Sequence, residues 1–339
     1  MPSSNTPETR KSGKLLKYLA GFVVLLGIIY TGGWFYLANE LETRVATNLA
    51  AFRQKGIDAT CENAGASGFP IRLGLDCTKV GWVDQAKKLS IMAGSFNAAA
   101  QVYDPMQIVS RIEGPAAVDA PNMIPLDITW KNLGSNVRLD KPLPKQLSVQ
   151  GNDIVVNQRN AAEGTPPIAV MQDGKLSFST AEPKMNIAWS FEKLKIADNV
   201  VYKHPLPELT GAADIELENG FDLLAKPERD ATILRGQSGL LNNVDLGFAD
   251  GSGIAISGPF SVDDEGRISG DFNVTMRNPE GVAQAMREIL PDEESTISSV
   301  LQAMAFVPRN SDGAPTLPIT VKKGKMSVGF IRIGRLPSL

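Results

Sequence analysis

Apolar and polar positions divide this chain into one long helical region followed by many short alternating runs. From Tyr18 to Asn39 (YLAGFVVLLGIIYTGGWFYLAN) no residue is charged. At 1.5 Å per residue this stretch covers the ~30 Å of a bilayer's hydrocarbon core. Tyr18 lies at one edge and Trp34, Phe35 and Tyr36 at the other, as interfacial aromatics do. Beyond the span Leu37, Leu41, Val45, Leu49 and Phe52 recur at spacings of three and four. That is the apolar stripe of an amphipathic helix, which Gly56 would stop. Such a stripe can dimerise, but packing against the first strands is the more ordinary use. The expected organisation is a basic cytoplasmic tail over residues 1–17, a transmembrane helix over 18–39, a membrane-proximal helix over 40–56 and a periplasmic β-rich domain over 57–339.

The remainder alternates with a period of two, the mark of strands with one apolar and one wet face. Leu89, Ile91 and Ala93 follow this pattern, and so do Leu126, Ile128 and Trp130. Leu133, Val137 and Leu139, then Ile187, Trp189 and Phe191, repeat it. Leu147 and Val149 lead to Gly151-Asn152-Asp153, read as a turn, before Ile154-Val155-Val156. Residues 160–167 (NAAEGTPP) read as a surface loop. Three similar pieces, Asp173-Gly174-Lys175, Glu265-Gly266-Arg267 and Lys323-Gly324-Lys325, predict hairpin turns in which glycine supplies a positive φ. Their uneven spacing argues against a solenoid. One helical island interrupts the strands. Asn278 suits an N-cap and Pro279 the first helical position, with Val282, Met286 and Ile289 on one face. A second helix carries Ile297, Val300, Leu301 and Met304. A Pro-rich linker over 307–318 then leads to a closing hairpin around Lys323-Gly324. The fold class expected is mainly β with a few helices: one or more large curved antiparallel sheets behind a transmembrane helix, with a helical insertion near 279–305.

Charge sharpens the placement. Residues 1–18 carry Arg10, Lys11, Lys14 and Lys17 against Glu8, whereas the chain as a whole has a formal charge of −3. The basic end should remain cytoplasmic and the acidic bulk lie on the other side, as a single-pass protein of the inner membrane. An acidic domain also argues against nucleic acid as a partner. A cleaved signal peptide is the competing reading of the apolar stretch. Its apolar region would be unusually long and Tyr36-Leu37-Ala38 a poor cleavage site.

The densest segment is Cys61–Trp82, CENAGASGFPIRLGLDCTKVGW, which holds the only two cysteines. After the Gly68-Phe69-Pro70 corner, Ile71, Leu73, Leu75 and Cys77 alternate with Arg72, Gly74, Asp76 and Thr78, placing Arg72 on the polar face. Val80 and Trp82 fall out of phase, so a bulge or bend is expected near Lys79. Cys61 and Cys77 enclose 15 residues; in an oxidising compartment a disulfide there stabilises by about 3 kcal/mol in the chain-entropy model. A redox pair or metal ligation are the alternatives. The spacing is not Cys-x-x-Cys, and the lone His204 offers little help to a metal.

An anchor, an amphipathic helix, a cysteine, then Gly-Phe-Pro-Ile-Arg-Leu-x-Leu-x-Cys and a tryptophan resemble an uncharacterised family of Gram-negative, chiefly alphaproteobacterial, envelope proteins, domain-of-unknown-function family 2125. Cys61, Gly68, Phe69, Pro70, Arg72 and Cys77 carry that resemblance, from about Leu37 to the C-terminus. Ile71 stands where an aromatic is more usual. The strand-turn-strand texture is also similar, more loosely, to AsmA-type periplasmic proteins, long curved sheets implicated in lipid handling.

Motifs of catalysis are fragmentary in this chain. His204 lies in His-Pro-Leu-Pro, and Gly236-Gln237-Ser238-Gly239 misses a nucleophile elbow by one residue. Gly251-Ser252-Gly253 lacks the rest of a dinucleotide fingerprint, and Asp263-Asp264-Glu265-Gly266 lacks the spaced ligands of a calcium loop. No catalytic residue, cofactor or metal site is expected. Two functions remain: a binding module for lipid or another apolar envelope component, or a structural protein docking on another envelope protein.

Overall fold

The computed structural model describes residues 12–141, 144–198, 206–223 and 231–339. His204 lies outside them. The apolar stretch read as a membrane span and the amphipathic stripe belong to one uninterrupted helix, α1 (Ser12–Gln54), which is long and apolar enough to cross a membrane. Gly56, at φ +79°, ends it in the left-handed conformation that glycine adopts without strain.

Among the described residues twenty strands follow in one antiparallel network. The first nine are short: β1 (Ile57–Glu62), β2 (Gly65–Ser67), β3 (Arg72–Cys77), β4 (Lys79–Asp84), β5 (Leu89–Ala93), β6 (Phe96–Gln101), β7 (Asp104–Ile112), β8 (Ala116–Asp119) and β9 (Leu126–Thr129). Then come β10 (Asn132–Arg138), β11 (Gln146–Gln158), β12 (Ala169–Ala181), β13 (Lys184–Ile196) and β14 (Leu209–Leu217). Helix α2 (Gly220–Leu223) and a 3₁₀ turn (Ala231–Leu234) precede β15 (Ser238–Phe248), β16 (Gly253–Val262) and β17 (Ile268–Arg277). Helices α3 (Pro279–Ile289) and α4 (Glu294–Met304) are followed by β18 (Thr316–Lys322), β19 (Lys325–Val328) and β20 (Ile331–Arg335).

The pairing divides the sheet into two regimes. Near the anchor the order runs β2-β3-β6-β7-β10-β11 on one side and β1-β4-β5-β8-β9-β11 on the other. Strand β11 pairs with β10 through its first half and with β9 through its second. The phase shift expected near Lys79 is a break at Thr78, whose backbone N–H donates to the Glu62 carbonyl at 2.9 Å. There the chain changes partners, from β6 to β5. From β11 to β20 the sheet is a meander in which each strand pairs with the next.

Two of the expected turns are not turns. Gly151 and Gly174 lie inside β11 and β12 and sit directly opposite one another. Leu133 and Ile154 flank Gly151, and the Met171 methyl lies 2.8 Å from where a Gly174 Cβ would be. These glycines make room for neighbouring side chains rather than reverse the chain. The other two turns are where the pattern put them: Gly266 (φ +80°) joins β16 to β17, and Lys323-Gly324 (φ +48° and +78°) joins β18 to β19. The helical island is also as read, with the Asn278 side chain accepting from the Gly281 N–H and Pro279 opening α3. The linker is shorter than expected, because Thr316–Pro318 already belong to β18.

Alternation along each strand and register between strands together define two faces. Residues 147, 149, 176, 178, 187, 189, 213 and 215 share the apolar one. Among the described residues, helical elements cover that face at the ends of the strands. At one end Val282, Ala285 and Met304 of α3 and α4 close over Phe248 and Met276. At the other, Leu223 of α2 with Ile233 and Leu234 closes over Met185 and Leu217.

Candidate functional site

Every residue singled out in the Cys61–Trp82 segment falls at the junction of anchor and sheet. The Cys61 and Cys77 sulfurs are at bonding distance, 2.00 Å, linking β1 to β3. Gly68 stands at φ +97°, and an added Cβ would meet the Arg72 Cβ at 2.8 Å, so the corner requires glycine. The Phe69-Pro70 peptide is cis. Trp34, read as an interfacial aromatic, is only 7% exposed. Its Nε1–H donates to the Arg72 carbonyl at 2.8 Å, and its ring stands edge-on to Phe69 at 5.3 Å. Higher on the helix Glu42 accepts from the Ala66 N–H at 2.7 Å, and Phe52 meets Trp82 edge-on at 5.3 Å. The Arg53 guanidinium pairs with Asp58 at 3.0 Å. Of the predicted stripe, Phe52 meets the first strands and Leu41, Val45 and Leu49 are half-buried, whereas Leu37 is exposed.

The polar face near the anchor is concave. Strands β3, β6, β7, β10 and β11 line a cleft of about 820 Å³ with Arg72, Asn97, Gln101, Gln107, Arg111, Asn136 and Gln150 among its residues. Many of these groups satisfy one another: Gln107 donates to Asn136 at 3.2 Å, and Arg138 donates to Gln107 at 3.1 Å and to Asp104 at 3.3 Å. A surface whose amides and ions are mutually paired reads as a solvated outer face. Arg72 lies on it, as its phase in the strand predicted.

The apolar face of the meander is the less ordinary surface. Register places Val149, Leu176, Trp189, Ala213, Val244, Ile256, Val274 and Leu317 in one row across eight consecutive strands. At 4.7–4.9 Å between strands this row is about 34 Å long. The caps at the strand ends leave its first part open, with Leu176 44% and Trp189 41% exposed. Leu246 is exposed in the neighbouring row, where the Phe191 ring lies over Gly211, 2.5 Å from where a Gly211 Cβ would stand. The result is an apolar trough whose open part lies on β12 and β13, with α2 and the 3₁₀ turn covering one strand end beside it and α3 and α4 covering the same face farther along, over β14 to β17. Chain alternation foretold the apolar residues. Their alignment into a row depends on register between strands distant in sequence, which no local pattern carries.

Guanidinium–carboxylate pairs brace the sheet elsewhere. Arg277 makes a two-pronged pair with Asp245, which holds the guanidinium pKa above its ordinary value. Arg159 bridges Asp127 at 2.8 Å and Asp119 at 2.9 Å, and hydrogen bonds to those carboxylates raise its pKa. Burial pushes the Asp263 carboxyl up, but the Arg267 backbone N–H and guanidinium outweigh it and lower its pKa. This explains the acidic Asp263–Gly266 run as a turn staple. Among the described residues no group of three or more His, Cys, Asp or Glu side chains is placed to hold a metal ion.

Anchor helix, stapled corner and single-layered sheet together define a class of protein: a β-rich domain carried on a long N-terminal apolar helix. Residues 34–337 match the model of a family described as an uncharacterized protein conserved in bacteria (DUF2125), and the chain belongs to that family. No curated protein and no solved structure matched the chain. The looser likeness to AsmA-type proteins therefore rests on strand texture alone.

Proposed function

We propose that this protein is a non-catalytic, membrane-anchored binding module of the bacterial envelope whose apolar trough shelters the acyl chains of a lipid. The observation that carries this reading is the open row through Leu176 and Trp189, flanked by helical caps that cover the same face at both strand ends. Apolar surface left in water costs about 25 cal/mol per Å², so the open part of the row at Leu176 and Trp189 favours an apolar occupant. The basic residues ahead of the uncharged stretch favour a cytoplasmic N-terminus, and a Cys61–Cys77 disulfide suits an oxidising periplasm. Site-specific photocrosslinking in intact cells tests the idea. A photoreactive residue at position 176 or 189 should yield lipid adducts, and one at Arg111 on the opposite face should not. Equal labelling at the three positions would remove the proposal's basis.

A second reading, docking on another envelope protein, is favoured by one feature. Among the described residues strand β20 pairs only with β19, and Phe330, Ile331 and Ile333 beside this edge are exposed. Open edges of this kind accept an added strand. Crosslinking from position 333 should then recover one dominant protein, lost in an Ile333→Lys variant.

A further inference from the structure

The uncharged span lies between Lys17 and Glu40. At 1.5 Å per residue, Tyr30 stands about 20 Å and Trp34 about 26 Å along the helix from Lys17, both within the ~30 Å hydrocarbon thickness. The sheet nevertheless reaches down to both. The Tyr30 hydroxyl donates to the Pro70 carbonyl, and Trp34 donates to the Arg72 carbonyl at 2.8 Å. The Phe69 ring stacks on Phe35 at 5.9 Å. Lifting this corner into water would leave only residues 18–29 to cross, about 18 Å of helix. That is too short for a bilayer.

The side chains around the corner match this depth. Ile71 is 60% and Tyr103 76% exposed, and Phe69, Val102 and Met106 are exposed as well. The Val102 N–H donates to the Ile71 carbonyl at 3.0 Å, so the Gly68–Ile71 corner and the turn between β6 and β7 form one tip. This tip is continuous with the exposed apolar surface of the helix below it. We infer that the tip is a membrane-inserted rim: Phe69, Ile71, Val102, Tyr103 and Met106 enter the acyl and headgroup region of the leaflet from which the anchor emerges. The partner is the lipid bilayer itself, and the inference rests on the reading that α1 spans it. Tyr103 supplies the amphipathic ring favoured at such an interface, and Arg72, beside the tip, the cation for its phosphates.

Spin labels on the full chain in liposomes of phosphatidylethanolamine and phosphatidylglycerol test this. Labels are introduced one at a time through Ile71→Cys, Tyr103→Cys, Leu25→Cys and Glu163→Cys. Position 163 lies beyond the far end of β11, about 40 Å from the strand start beside Leu139. Expected are high accessibility to oxygen and low accessibility to a water-soluble nickel chelate at 25, 71 and 103, and the reverse at 163. If 71 and 103 are as accessible to nickel as 163 while 25 is lipid-exposed, the rim is refuted and the anchor stands. If 25 is also open to nickel, both fall.

Discussion

The contact between Trp34 and the corner is the sharpest test of how sheet and anchor are joined. Replacing Trp34 with Phe keeps most of the buried ring and deletes its one polar link, the 2.8 Å bond from Nε1 to the Arg72 carbonyl. The residue is 7% exposed, so the carbonyl gains little water in exchange. Losing the bond and leaving an acceptor under-satisfied should destabilise by about 1–3 kcal/mol. Trp34→Ala, which also empties the space against Phe69 and Phe35, should cost about 3–5 kcal/mol. A cycle with Phe69→Leu isolates the edge-on ring contact, with a coupling of about 0.5–1.5 kcal/mol. Denaturant unfolding in lipid nanodiscs, followed by near-ultraviolet circular dichroism, gives the free energies. Hydrogen exchange at the Arg72 amide, which donates to the Gly68 carbonyl at 2.9 Å, reports locally. If neither variant changes stability or exchange, the sheet is not seated on the helix at Trp34, and one of the contacts that set the rim's proposed depth is lost.

Other outcomes follow from the same geometry. Replacing Cys61 and Cys77 together with serine should lower stability by about 3 kcal/mol, read as a lower melting temperature with membrane insertion unchanged. Gly68→Ala should destabilise by about 1–3 kcal/mol, because it forces a side chain to φ +97° against Arg72, and should shift the same melting curve. Asp250, held low by the Ser252 hydroxyl and N–H, and Glu294, held low by Arg287 and Ser298, have depressed folded pKa values, as does Asp263. Their contribution is therefore complete above the ordinary carboxylate range of about 4 and is lost as pH falls below it. Urea midpoints measured from pH 6 to pH 2.5 should fall, with a shallower fall in Asp263→Asn.

Much of the architecture can be read from local pattern, because alternation and turn residues are local. The strand at Ile187–Phe191, the loop over 160–167, the Asn278 cap and the turns at Gly266 and Lys323-Gly324 all follow from residues within a few positions of one another. Gly151 and Gly174 mislead for the opposite reason. Glycine marks either a reversal or a place where neighbouring side chains need room, and only the pairing of β11 with β12 distinguishes them. Trp34 is similar: an aromatic at the edge of an apolar span is ordinarily interfacial, and its burial comes from Phe69 and Arg72, more than 30 residues later. The trough is the least legible feature. Leu176, Trp189 and Val244 each look like ordinary strand residues until register sets them side by side.

Above Tyr30, the helix meets the sheet at Trp34, at Glu42 and at the adjacent Phe52 and Arg53. From the first to the last of these is about 28 Å of helix. A chain held at one point would swing like a buoy on its line. One held along that length behaves like a mast bolted to its hull. On the reading that the helix spans a bilayer, the sheet inherits whatever tilt the helix takes, and the direction its trough faces is set by the helix's rotation about its own axis. One residue inserted below Trp34 would turn the whole domain by about 100° relative to the span, whereas one inserted between Trp34 and Phe52 would put the upper and lower fastenings out of register.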